Sequence, residues 1–135
     1  MDILFYEYLK KGLQDHNTNQ GKPHGNKVVG KRTSDTTYPH TVFQEIRNTA
    51  NASYNTCFDR VASVGYKVEV YAKDKGKVEN QTIAREIAQM IDAYLTAVGL
   101  TRVSYNAFDM ENENSTYAVI MTYTGNLHEN RAKLL

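Results

Sequence analysis

The chain has no tryptophan, a single cysteine and two prolines among its 135 residues. With Cys57 alone, no disulfide can form within the chain, and a reducing compartment is expected. No stretch approaches the roughly 18 consecutive apolar residues that a membrane span needs. The start, Met1-Asp2-Ile3-Leu4-Phe5-Tyr6-Glu7, lacks a basic region and a clean apolar run, so it is not expected to be a secretion signal. Charge of one sign is lacking too. Sixteen Lys and Arg against fifteen Asp and Glu leave a net +1, so no broad basic field draws the protein to nucleic acid or anionic lipid. The sequons at Asn51, Asn80 and Asn114 matter only in a secreted eukaryotic protein.

What is present is ordinary globular material. Hydrophobic residues at 41% and charged residues at 23% fit a single domain, residues 1–135, that can bury a core without staples. Ten tyrosines are unusual but point to no function.

Periodicity divides the chain. Ile3, Tyr6, Leu9 and Leu13 stand at helical spacing, widened by Leu4, Phe5 and Tyr8, and Gly12 predicts an end near residue 14. Residues 15–37 are dominated by Asn, Gly, Lys, Thr, Ser and Asp, with only Val28-Val29 strongly apolar. They are expected to form a long flexible loop, because such a segment offers little surface to offset its ordering entropy. A strand is predicted over Thr41–Asn48, with Val42 and Ile46 on one face and Phe43 on the other. Residues 49–62 read as irregular connection. Tyr66-Lys67-Val68-Glu69-Val70-Tyr71-Ala72-Lys73 alternates with period two, predicting a strand with one buried and one wet face.

Ile83, Ile87, Met90, Ile91, Tyr94, Leu95 and Val98 then mark an amphipathic helix from about Asn80 to Val98. Asn80 or Thr82 is expected to cap its start, and Gly99 to close it in a left-handed conformation. Two further strands follow. Arg102–Phe108 carries Val103, Tyr105 and Ala107 on one face, and Thr116–Thr124 carries Tyr117, Val119, Met121 and Tyr123, with Ala118 and Ile120 behind. Being apolar on both sides, the last strand is either central or covered by another subunit. The expected fold is α+β: a four-stranded, mostly antiparallel sheet packed by a long amphipathic helix and a short N-terminal helix.

The sequence offers few chemical motifs. Gly25-Asn26-Lys27-Val28-Val29-Gly30-Lys31 has the spacing of a phosphate-binding loop and falls one residue short of the motif, because Arg32 stands where a magnesium-ligating hydroxyl belongs. No apolar strand precedes it and no helix is expected after it. His16, His24, His40 and His128 read as solvent-exposed, since zinc needs several converging ligands. No cation neighbours Cys57 to favour its thiolate. Asp109, Glu111 and Glu113 read as a solvated hairpin tip rather than an acid/base pair. Lys67, Lys73, Lys75 and Lys77, with Tyr66 and Tyr71 between them, could in principle bind single-stranded nucleic acid, but Glu69, Asp74 and Glu79 dilute the patch.

Tyr38-Pro39-His40-Thr41-Val42 at a strand entry, the alternating Tyr66–Lys73 strand, the helix ending in Val98-Gly99-Leu100-Thr101-Arg102, and Tyr117 to Gly125 together resemble the small tail-terminator, or tail-completion, proteins of long-tailed bacteriophages. The resemblance covers residues 38–127 and, more loosely, 1–14; residues 15–37 depart from it as an insertion. It implies a structural, non-enzymatic virion protein without cofactor, assembled in the bacterial cytoplasm and resident in the tail or neck. Such a protein forms a ring, typically hexameric, on the finished tail tube, stops tube elongation and presents a surface to the head–tail connector or stopper. The major tail tube protein and copies of itself are its expected partners; DNA would pass through the ring without specific binding. Lys22, Lys27, Lys31, Arg32, Lys73, Lys75 and Lys77 are the candidate assembly contacts. A head–tail stopper or adaptor, and a small nucleotide-binding enzyme using the Gly25–Lys31 loop, are the alternatives. Calorimetric titration with ATP and magnesium separates the last of these: no saturable binding is expected, whereas binding lost in Lys31→Ala would favour the enzyme.

Overall fold

A computed structural model describes residues 2–31, 37–50, 61–73, 75–110, 116–128 and 133–134. Helix α1 spans Asp2–Asn19, and a 3-10 turn over Pro23–Gly25 leads into strand β1, Lys27–Val29. Strands β2 (His40–Ala50) and β3 (Val61–Ala72), helix α2 (Lys77–Ala97), strands β4 (Thr101–Met110) and β5 (Thr116–His128), and the two-residue β6 (Lys133–Leu134) follow. The α+β class is as expected. The sheet is larger than four strands: its order is β1-β2-β3-β5-β4, with β6 also on β5. Among the described residues only β1, parallel to β2, departs from antiparallel pairing.

Alternation along β3 fixes the layers. Tyr66, Val68, Val70 and Ala72 are buried toward the helices, as their spacing predicts. Val68 pairs with Phe43 on β2 and Met121 on β5, so those side chains share its face. Against that face α2 lays Ile83, Ile87, Ile91 and Leu95, and α1 lays Phe5, Leu9 and Leu13. Tyr6, Phe43 and Tyr66 stack into a triad joining α1, β2 and β3, with centroids 5.4 to 6.4 Å apart. The Tyr6 hydroxyl donates to the Phe43 carbonyl. Strand β5 lies between β3 and β4, which is why both its faces are apolar: Val119 and Met121 are buried on one side and Ala118 on the other.

Helix α1 does not end near Gly12. That glycine lies where α1 passes α2: a Cβ there would fall 2.3 Å from the Tyr94 hydroxyl. Tyr94 also stacks on His16, centroids 4.9 Å apart. Absence of a side chain permits close approach here rather than terminating the helix. The buried stripe Phe5, Leu9, Leu13 continues in steps of four to Asn17, which is buried as well.

Residues 15–31 are therefore not the loop their composition suggests. Asn17 Nδ2 donates to the Asn26 carbonyl (2.8 Å), Asn26 Nδ2 to Asn17 Oδ1 (2.9 Å), and Thr41 Oγ1 to Asn26 Oδ1 (3.1 Å). Gln14 Nε2 donates to the Val28 carbonyl at 3.0 Å. This polar seam ties α1, β1 and β2 together. Hydrogen bonds between buried amides hold the segment where apolar area is scarce. Residues 32–36 of the expected loop lie outside the described residues, as does Arg32 itself.

Other expectations need correction. Strands β2 and β3 take in residues 49–50 and 61–62, which were expected to be irregular, with Thr49 paired to Ser63 and Ala50 to Ala62; residues 51–60 lie outside the described residues. A bulge between Glu45 and Arg47 throws Ile46 out of the alternation, leaving it exposed rather than beside Val42. Helix α2 starts three residues early, with Gly76 at the N-cap. Asn80 is buried, its Oδ1 accepting the Lys75 N–H at 3.1 Å, so it holds the entry loop rather than capping the helix. Gly99, at φ 108, closes the helix in the left-handed conformation as expected. Cys57, Glu111 and Glu113 lie outside the described residues.

The seam makes a clear forecast. Asn26→Ala keeps the backbone carbonyl that Asn17 Nδ2 bonds but leaves Asn17 Oδ1 and Thr41 Oγ1 buried without the amide that joins them, and should cost about 2–3 kcal/mol of stability. Lys27→Ala, beside it and exposed, should cost less than about 0.5 kcal/mol. Urea titrations of the two variants, compared at equal m-value, check this; equal losses would mean that the seam is not formed.

Candidate functional site

Both helices cover one face of the sheet, so the surface available for docking is the opposite face and its rim. On that face Val42, Tyr71 and Ala118 form a small buried cluster, with Val29, Tyr38 and Met110 packed against it. Tyr71 was expected on the wet side of β3. It is buried because His40, its register partner on β2, lies over it with ring centroids 5.2 Å apart, and Tyr38 lies against His40 at 4.7 Å. His40 is thus a buried aromatic element, not a solvent-exposed histidine. Its Nδ1 is 3.0 Å from the Thr37 carbonyl, which can only accept, so Nδ1 carries the proton. The Tyr71 hydroxyl donates to Glu69, and Lys67 Nζ stands 3.5 Å from the same carboxylate. Farther along, Arg47 Nη2 donates to Thr124 Oγ1 at 2.7 Å.

The candidate cations surround this face unevenly. Strands β1 and β2 begin where β3 ends, because Lys27 pairs with His40 and His40 with Tyr71. Lys27, Lys73, Lys75 and Lys77 therefore gather at one end of the sheet. Lys73 holds its ammonium 5.2 Å above the Tyr38 ring, a cation–π contact. Lys77 opens α2 with its Nζ 3.8 Å from Asp109. Lys22 and Lys27 flank a shallow cavity of about 240 Å³ over the Asn17–Asn26 seam. Lys31, exposed, follows the other end of β1 and stands apart from the rest. The lysines form two groups along a rim, not one patch.

The Gly25–Lys31 stretch is not built to cradle phosphate. The Gly25 and Asn26 N–H groups are already bonded to the Lys22 and Pro23 carbonyls, and a strand rather than a helix follows. Lys22 and His24 both adopt positive φ, and His24 Nε2 reaches Glu86 on α2 at 2.7 Å, which fastens the turn to the helix layer. Among the described residues no group of three His, Cys, Asp or Glu could hold a metal, and no helix is long and apolar enough to cross a membrane.

Sequence periodicity missed a second rim feature, at β4. Arg102 pairs with Tyr123 and Ser104 with Thr122, so Val103 is the extra residue of a bulge. Arg102, not Val103, shares the helix-side face with Tyr105 and Ala107. Its Nη1 lies 3.5 Å from Asp92 on α2, and its guanidinium 5.1 Å from the Tyr105 ring centroid. Asp92 also accepts the Tyr123 hydroxyl at 2.6 Å. A bulge leaves no mark in the alternation that composition could reveal. No protein-family model and no curated protein matches the chain.

Burial, and then the hydrogen bond to Asp92, push the Tyr123 phenol well above its ordinary range. The folded state thus holds that proton more tightly than the unfolded chain does. Stability present below pH about 10 is lost as pH rises further. Tyr123→Phe should cost about 1 kcal/mol at neutral pH through the lost hydrogen bond. The same variant should flatten the alkaline decline, and urea midpoints followed from neutral pH to about pH 11 test the sign.

Proposed function

We propose that this chain is a structural, non-enzymatic phage tail terminator, a ring subunit that caps the tail tube, stops its elongation and offers a surface to the head connector. The observation that carries the reading is the distribution of cover. Two helices enclose one face of the sheet, while Ile46, Val103, Tyr105 and Phe108 remain exposed on the opposite face and along the β4 rim. Apolar side chains left in water along a sheet face and edge suit docking on other chains.

The residues that carry the family resemblance support it from another direction. Tyr38-Pro39 enters β2, the Tyr66–Ala72 alternation forms the second half of β3, and Tyr123 and Gly125 of the late strand pair with Tyr66 and Val64. These stretches, distant in sequence, meet in one contiguous part of the sheet. The Lys73, Lys75 and Lys77 turn and the Lys22–Lys27 rim are the polar surfaces proposed to meet the tube protein and the connector. A ring requires heterologous contacts whose rotation closes.

Electron microscopy of particles from a phage deleted for the gene tests the proposal. Overlong tails that do not join heads are expected. Tails of normal length without heads would favour a stopper or adaptor instead. Complete particles with normal tails would overturn the proposal.

A further inference from the structure

Strand β4 is the long free edge of the sheet. Among the described residues no strand pairs with it on the side away from β5. Its Val103, Tyr105 and Phe108 are 58%, 37% and 42% exposed. Natural edges of this length are blunted by lysine, proline or an inward charge. Thr101-Arg102-Val103-Ser104-Tyr105-Asn106-Ala107-Phe108-Asp109-Met110 has no lysine or proline, its one bulge lies near its start, and its two helix-side charges, Arg102 and Asp109, are each paired within the subunit, with Asp92 and Lys77. The opposite edge, β1, runs for only three residues and is tied down by α1 through Gln14.

We infer that β4 pairs with β4 of a second copy of this chain, antiparallel, about a two-fold axis through Asn106. The strand is complementary to itself in that register. Tyr105, Ala107 and Asp109 share the helix-side face, because they pair with Met121, Val119 and Tyr117; Ser104, Asn106 and Phe108 share the other. A two-fold perpendicular to the sheet keeps each face continuous and sets only same-face residues opposite one another. Tyr105 then faces Ala107 of the second copy, Phe108 faces Ser104, and Asn106 faces Asn106. Each large side chain meets a small one.

The bulge completes the match. It places Arg102 and Val103 together against a single position, and that position in the second copy is Asp109. Arg102 already lies 3.5 Å from Asp92, and Asp109 lies 3.8 Å from Lys77. The joint therefore carries two chains of alternating charge, Asp92–Arg102 on one copy continuing into Asp109–Lys77 on the other. Shifting the strands by two residues brings Asp109 opposite uncharged residues, so charge selects this register. Pairing to β1 of a neighbour would engage three residues and leave most of β4 unpaired. The inference stands on β4 alone and does not depend on the tail-capping proposal; a two-fold contact takes β4 out of any ring interface, so heterologous ring contacts would fall on the helix-free face and the lysine rim.

Sedimentation and site-directed cross-linking test it. The chain should sediment as a dimer of the 15.3 kDa subunit, and Asp109→Lys should weaken dimerisation about tenfold by setting two like-charged pairs face to face. In a Cys57→Ser background, Asn106→Cys should oxidise to a covalent dimer, because residues opposite themselves have Cα atoms about 4.5–5.5 Å apart, within disulfide reach. Ser104→Cys alone should not cross-link, but should do so when mixed with Phe108→Cys. A monomer at every concentration would overturn the inference. So would a hexamer that Asn106→Cys fails to cross-link, and that second result would leave the ring proposal standing.

Discussion

Period-two alternation along β3 is the constraint on which the rest of the structure depends. The strand is hydrogen-bonded to β2 on one side and β5 on the other for nearly its whole length, so its residues cannot rotate independently. Tyr66, Val68, Val70 and Ala72 must all face one way, and apolar burial then draws both helices to that side. A slip of one residue would send Lys67 and Glu69 into the core and the whole apolar set into water. Every other surface follows from this choice, including the helix-free face.

Two kinds of cohesion operate around that strand. Over the centre, aliphatic side chains from α2 and the Tyr6–Phe43–Tyr66 stack fill the space between helices and sheet. At the β1 side the apolar supply ends, and amides take over. Asn17, Asn26 and Thr41 satisfy one another in a buried chain. That arrangement depends on geometry more than an apolar contact does, since a buried amide without its partner loses the full cost of its dehydration. The same polar residues that lower the apparent hydrophobicity of residues 15–31 hold that segment in place.

The helix-free side has its own economy of contacts. His40 between Tyr38 and Tyr71 closes a small apolar cluster at one end of the face, and Lys73 lies over the outer ring. At the far rim β4 keeps its bulge, its aromatic residues and its paired charges in water. If the chain assembles as proposed, shape and register would determine its specificity.

Much of this was legible in the residues. Alternation in Tyr66–Ala72 and Tyr117–Tyr123, and helical spacing from Ile83 to Leu95, marked the elements and their buried faces, because those signals arise within a few neighbouring residues; that β5 is central, rather than covered by another subunit, came from the strand order. The continuation of α1 past Gly12, the strand at Lys27–Val29 and the burial of Asn17, Asn26 and His40 were decided only by tertiary structure. Each depends on a partner distant in sequence: Tyr94 lying across Gly12, Thr41 bonding to Asn26, and Tyr71 lying under His40. The bulges that turn out Ile46 and Val103 belong to the same class. Local pattern tells which residues seek burial, but whether a polar group is satisfied, or a strand slips by one, depends on what the rest of the chain places beside it.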